Sequence, residues 1–168
     1  LKTWSDSLAA AWQAQGIQAG DRIAILLAQG LETALAHLAT YKIGAIAMPL
    51  FTLFGTDALR YRLNDSGAST LVTDQQGLDT VLLLREQLPQ LKHLYQSDSP
   101  HNQGPALSLW QAIQTHPNPA PSTLKTRADD PALLIYTSGT TGSAKGALHA
   151  HRVLLGHLPG VEMSHNFL

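Results

Sequence analysis

The sequence predicts an α/β fold, a mostly parallel sheet flanked by helices, and three observations carry that expectation. Apolar residues at helical spacing alternate along the chain with short apolar runs of strand length. One run, residues 23–27 (Ile-Ala-Ile-Leu-Leu), is apolar without a break, as a central parallel strand buried on both faces must be. Hydrophobic residues make up 44% of the 168 and charged residues 14%, a balance that supports one globular domain with a real core. Alternation of this kind implies right-handed crossovers and helices on both faces of the sheet.

Residues 3–15 have Trp4, Leu8, Ala11 and Trp12 on one helical stripe, and Gly16 and Gly20 punctuate its end. The two tryptophans are expected to pack on the core, or on segments of a longer protein absent from this chain, rather than to form a partner-binding stripe. Asp21 and Arg22 lead into the central strand. Residues 31–41 return to helical spacing through Leu31, Leu35 and Leu38, ended by Gly44. Residues 45–48 form a short second strand closed by Pro49. Thr56 is placed to cap a helix that turns Leu59 and Leu63 inward, with Asp57 near its positive end. Residues 64–67 (Asn-Asp-Ser-Gly) read as a turn, 69–73 as a strand, 81–88 as a helix stopped at Pro89, and 92–96 as another strand.

Between residues 97 and 131 the character changes. Six of the nine prolines fall there, Pro117, Pro119 and Pro121 among them, so the stretch is expected to be a long surface excursion. It is not a domain boundary, because the strand that follows at 132 needs sheet neighbours. Residues 107–113 are its one predicted short helix, with Leu109, Trp110 and Ile113 as the anchor. Asp129 and Asp130 read as a solvated turn before Pro131 rather than as a catalytic carboxylate pair.

A net charge of −1 makes no electrostatic case for nucleic acid or an anionic membrane as partner. The absence of cysteine excludes disulfides and thiolate metal sites. No apolar run approaches the ~18–20 residues of a membrane span and no signal peptide is visible, so the expected location is the cytoplasm. The chain starts at Leu1 without a methionine and is expected to be a piece of a longer protein.

The most informative stretch lies late in the chain. Leu133, Leu134, Ile135 and Tyr136 turn abruptly into seven hydroxyl or glycine residues, Thr137 to Ser143, and Lys145 follows. Gly139, Gly142 and Gly146 allow backbone angles closed to other residues, so main-chain N–H groups can form an anion nest. Ser138, Thr140, Thr141 and Ser143 add hydroxyl donors, and Lys145 adds a point charge for a phosphate. The competing reading is a Gly/Ser/Thr-rich surface turn, and seven such residues in a row between a strand and a lysine favour phosphate binding over it. The spacing excludes the Walker loop, because two residues rather than four separate Gly139 from Gly142 and Lys145 precedes Gly146. The Rossmann glycine pattern is absent too. Residues 146–149 are expected to return as a strand, and 151–158 to start a helix stopped by Pro159. His149, His151, His157 and His165 gather near the end, and on a strand His149 and His151 would share a face. Only Glu162 is nearby, so no metal site is expected. His149 is instead a candidate to line a nucleotide cleft.

The run Tyr136-Thr-Ser-Gly-Thr-Thr-Gly-Ser-Ala-Lys-Gly146 resembles the signature loop of the acyl-adenylate-forming enzymes: acyl-CoA synthetases, luciferases and peptide-synthetase adenylation domains. Ala144 stands where that family usually has proline, which loses rigidity and no donor. Gly20-Asp21-Arg22, Gly44-Ala-Ile-Ala-Met-Pro49 and Leu63-Asn-Asp-Ser-Gly-Ala68 resemble the amino-terminal region of acyl-CoA synthetases in the same order. The resemblance covers most of residues 8–155, and within the family the chain looks most like the acetyl- and medium-chain acyl-CoA synthetases.

The resemblance implies that residues 1–168 are an incomplete part of the large amino-terminal adenylation domain, with the carboxy-terminal domain absent. It also implies a two-step ligase reaction: a carboxylic acid and Mg·ATP give an acyl-adenylate and pyrophosphate, and CoA then displaces AMP. By resemblance the ATP-phosphate contacts fall on Thr137, Ser138, Gly139, Thr140, Thr141, Gly142, Ser143, Ala144 and Lys145, with Thr141 near the magnesium ion. The acyl pocket, the adenine and ribose contacts, the acidic magnesium ligand and the catalytic lysine come later in such enzymes. The chain alone is therefore expected to be inactive, to bind no cofactor tightly and to self-associate through exposed apolar surface. The competing reading is a non-catalytic scaffold or interaction module that keeps the fold. An intact Lys145 and three glycines count against it.

Overall fold

The computed structural model describes residues 1–117, 124–137 and 143–164. Helix α1 (Lys2–Ala14) leads into β1 (Arg22–Leu26), α2 (Leu31–Lys42) and β2 (Ile46–Pro49). Helix α3 (Thr56–Ser66), β3 (Thr70–Thr73), α4 (Gln75–Leu82) and β4 (His93–Gln96) follow, and β5 (Leu107–Ser108) runs straight into α5 (Leu109–Gln114). The chain ends with β6 (Pro131–Thr137), β7 (Lys145–Ala150) and α6 (Arg152–Ser164).

The seven strands make one sheet in the order β5-β4-β3-β1-β2-β6-β7. Every pairing is parallel except β6 with β7. β1 holds the centre, and its residues alternate between two cores. Ile23 and Ile25 point to the side that packs Leu8, Trp12, Leu35, Tyr95, Leu109 and Ile113 from α1, α2, β4 and α5. Ala24 and Leu26 point to the side that packs Leu59, Leu63, Leu78 and Val81 from α3 and α4. A continuously apolar strand is what two buried faces require, and the mostly parallel sheet with helices on both sides is the expected one.

Several boundaries differ from the expected ones for local reasons. Residues 64–66 are the last turn of α3, not a turn between elements, and Gly67 closes the helix in the left-handed region at φ 62°. Gly55, not Thr56, occupies the cap position of α3, and no side chain caps it. Asp57, exposed on the first turn, pairs with Arg60 at 2.9 Å. Helix α4 starts six residues before the expected 81. Asp74 caps it by accepting the Gly77 N–H at 2.9 Å, and that bond weighs more than apolar spacing in so short a helix. A 3-10 turn over Arg85–Gln87 fills the rest before Pro89. Pro159 lies inside α6, where it removes one backbone donor without ending the helix.

The stretch 97–131 is not all surface. β5 pairs with β4 through Tyr95↔Leu107 and Gln96↔Ser108, which gives the sheet its last strand on that side. The Ser108 hydroxyl accepts the Gln111 N–H and caps α5, whose Leu109 and Ile113 are buried under α1. The prolines marked irregular backbone correctly but said nothing about depth.

The Gly20-Asp21-Arg22 motif has a structural job. Arg22 Nε donates to the Ser66 carbonyl at 2.8 Å, Nη2 to the Gly67 carbonyl at 2.8 Å and Nη1 to the Gly20 carbonyl at 3.0 Å. The guanidinium thus fastens the carboxyl end of α3, whose last carbonyls have no partner inside the helix, to the start of β1. Arg22→Ala is expected to lower stability by about 2 kcal/mol, since charge-assisted bonds of this kind are worth ~1.5–3 kcal/mol. Urea unfolding followed by circular dichroism measures it, and an unchanged midpoint would refute the clamp.

Candidate functional site

β6 and β7 form an antiparallel hairpin whose turn carries the Gly/Ser/Thr run. The register pairs Leu133 with His149, Ile135 with Ala147, Tyr136 with Gly146 and Thr137 with Lys145. Thr137 and Lys145 therefore face each other at the mouth of the turn, and both are exposed. Ser143 is exposed as well and Ala144 is half-buried. The expected contacts at Ser138, Gly139, Thr140, Thr141 and Gly142 lie outside the described residues. β6 runs parallel to β2, so the turn stands at the carboxyl ends of the parallel strands, where open α/β sheets place their ligands.

Gly146 does not use left-handed backbone. It is not among the positive-φ glycines, and it lies in extended β7 opposite Tyr136. Its role is room: a Cβ there would fall 3.0 Å from Leu134 Cδ1 and 3.3 Å from the Tyr136 ring. The missing side chain lets the tyrosine lie across the strand.

Helix α3 reaches the hairpin from one side. The Tyr136 hydroxyl donates to Asp65 Oδ2 at 2.5 Å, just before the turn. The Tyr61 hydroxyl donates to the Ala144 carbonyl at 3.0 Å, just after it. The two tyrosine rings meet edge to face, 6.4 Å apart at 80°. Arg62 lies between, its guanidinium 4.1 Å from the Phe54 ring centroid and 5.7 Å from that of Tyr136. Burial pushes the Tyr136 phenol well above the usual tyrosine range, and the bond it donates to Asp65 pushes the same way. Tyr136 therefore stays protonated and a donor at physiological pH. Tyr61, Arg62 and Asp65 carry no sequence signal that would have attached them to this loop.

Among the described residues, His149, His151 and His157 do not gather into a site. His149 is half-buried on β7 and shares a face with Lys145, whereas His151 lies beyond the strand, so the two do not share a strand face. The His151 ring packs edge-on to Tyr41 at 6.0 Å, and its buried Nε2 has no hydrogen-bond partner among the described residues. His157 is exposed on α6, and His165 lies outside the described residues. Among the described residues no three His, Cys, Asp or Glu side chains come together as metal ligands. Asp129 pairs with Arg152, and Asp130 accepts the Arg127 N–H at 2.7 Å, so this carboxylate pair holds a turn.

Residues 1–167 match the family model for AMP-binding enzyme. An acetyl-coenzyme A synthetase of Halorhodospira halophila is 31% identical over 96% of this chain and 26% of its own length. A medium-chain fatty-acid–CoA ligase of Escherichia coli is 34% identical over 84% of this chain and 26% of its own. The crystal structure of the anthranilate CoA ligase AuaEII in complex with anthranoyl-AMP has the same fold with a TM-score of 0.80, at 27% identity over 89% of this chain and 28% of that one. The chain thus spans about a quarter of the length of these relatives. No helix among the described residues is long and apolar enough to cross a membrane. With the family model running over nearly every residue, and the same sheet in an acyl-CoA ligase, the chain belongs to the AMP-binding enzymes, among relatives that are acyl-CoA synthetases and ligases.

Proposed function

We propose that the β6–β7 turn, Thr137 to Lys145, holds the β- and γ-phosphates of ATP in an AMP-forming carboxylate–CoA ligase, and that this chain is the part of its amino-terminal adenylation domain that carries the loop. The observation behind the reading is the pairing of Thr137 with Lys145, which sets a hydroxyl and a cation on either side of a turn made of glycines and hydroxyls. Such a turn suits an anion that gains charge as the reaction proceeds. In the first step a carboxylate oxygen bonds to the α-phosphorus and the bond to the bridging oxygen breaks. The electron pair leaves with pyrophosphate. Donors and a cation fixed around that leaving group lower the barrier by stabilising the new charge, with little reorganisation to pay for. In the second step the CoA thiol displaces AMP from the acyl-adenylate to give the thioester.

Magnesium fits this arrangement as a companion of the nucleotide. The described part of the chain gathers no acidic cage, and magnesium at such sites is commonly held by substrate phosphates with one or two carboxylates. Thr141 is the residue of the loop proposed to lie near it. A cytoplasmic location accompanies the reading.

ATP–pyrophosphate exchange tests it. In the full-length protein, labelled pyrophosphate is expected to enter ATP only when a carboxylic acid is present. The 168-residue chain alone is expected to show none, because its relatives are about four times as long. Robust exchange by the chain alone, or exchange without acid, would overturn the reading.

A further inference from the structure

The tip of the β6–β7 hairpin runs past the end of β2, which stops at Pro49. β2 is the neighbour of β6, and its paired position is Ala47↔Leu133. Thr137, at the mouth of the turn, lies four residues further on, roughly 13 Å at the rise of an extended chain. A two-stranded hairpin without further packing is marginal in water, yet an anion site works only if its donors are held in place before the charge develops. Something other than the sheet must hold the tip.

Helix α3 is placed to do so. Tyr61 and Asp65 are four residues apart, hence neighbours on one helix face. One bonds the Ala144 carbonyl after the turn, and the other accepts the Tyr136 hydroxyl before it. The two bonds grip both shoulders of the loop from a single rigid element. Arg62, on the same helix, stacks on Phe54 and lies 5.7 Å from the Tyr136 ring centroid. Helix α3 is itself well founded, because its opposite face buries Leu59 and Leu63 and Arg22 fastens its end. Tyr61 is 37% exposed and Asp65 is exposed, so neither side chain is needed to fill the core.

We infer that α3 is the positioning element of the phosphate loop, with Tyr61 and Asp65 as the positioning residues that fix the separation and orientation of its two shoulders. The inference rests on the reading of the turn as the ATP-phosphate site. Neither residue need touch the nucleotide. Their effect passes through Ala144 and Tyr136 to the segment that these two residues flank.

The test compares Tyr61→Phe, Asp65→Ala and Asp65→Asn in the full-length protein. Hydrogen exchange of the amides of residues 138–144 is read without nucleotide, and KM for ATP, KM for the acid and kcat are read separately. Tyr61→Phe and Asp65→Ala are expected to speed loop exchange about fivefold, the usual worth of one hydrogen bond, and to raise KM for ATP by a similar factor. KM for the acid and the melting temperature should hardly move. Asp65→Asn keeps an acceptor for the Tyr136 hydroxyl and should restore most of what Asp65→Ala loses. Unchanged loop exchange, a change spread evenly over the sheet, or no difference between the Asn and Ala variants would each overturn the inference. Looser exchange with untouched ATP kinetics would leave the grip standing and refute the assignment of the loop to ATP.

Discussion

Lys145→Ala is expected to lower kcat/KM for ATP by about 10²-fold, the usual cost of removing one preorganised charge-stabilising group, and to leave the fold intact. The fold should survive because Lys145 is exposed at the start of the last strand and makes no ion pair among the described residues. Its backbone, not its side chain, carries the pairing with Thr137. ATP use should suffer because a cation at the mouth of the turn meets the pyrophosphate as it gains charge. Lys145→Arg keeps the charge but exchanges a compact ammonium for a wide planar fork, so recovery should be partial. Steady-state kinetics with ATP varied, alongside thermal unfolding, separates the two effects. Unchanged ATP kinetics would remove the phosphate assignment, and a collapse in melting temperature would show that the side chain serves the fold.

Trp12→Ala is expected to cost about 3–5 kcal/mol, the range for deleting a buried aromatic side chain. Native stability of ~5–15 kcal/mol makes that a large fraction of the total. Trp12 is fully buried, at the centre of the core shared by α1, α2, α5 and the sheet, with its ring 5.9 Å from that of Tyr95. Trp4 supplies the control. It is 45% exposed, and its main partner is an edge-to-face contact with Trp110 at 5.5 Å, so Trp4→Ala should cost only ~1 kcal/mol. Denaturant unfolding of the two variants, on the chain or the full-length protein, measures the difference. Equal losses would contradict the burial pattern. A helical stripe predicts both tryptophans inward, and the placement of α5 against α1 separates their roles.

Much of this was legible in the residues alone. Local rules had strong signals to act on: the unbroken apolar run of β1, the Leu31/Leu35 spacing of α2 and the stop before Pro89. The order of glycines, hydroxyls and lysine over residues 137–146 was also readable, and it excludes the Walker and Rossmann patterns without reference to any neighbour. Helix α4 starts earlier than the apolar spacing indicates, because the Asp74 cap fixes its first turn. Helix α5 was legible within residues 107–113, whereas β5 was hidden for a different reason. Two residues of strand carry no period, and the prolines around them describe backbone freedom rather than depth.

The residue order was enough for the alternation of elements, the two-sided central strand and the chemistry available in the loop. These depend on interactions within a few residues or on an average over one face. It could not say what holds the loop. Tyr136 meets Asp65 across 71 residues and Tyr61 meets Ala144 across 83, and no local pattern encodes contacts of that span. They exist because the parallel sheet brings the end of β6 beside α3, so residues that read as an ordinary helix surface come to bond both flanks of the β6–β7 connection.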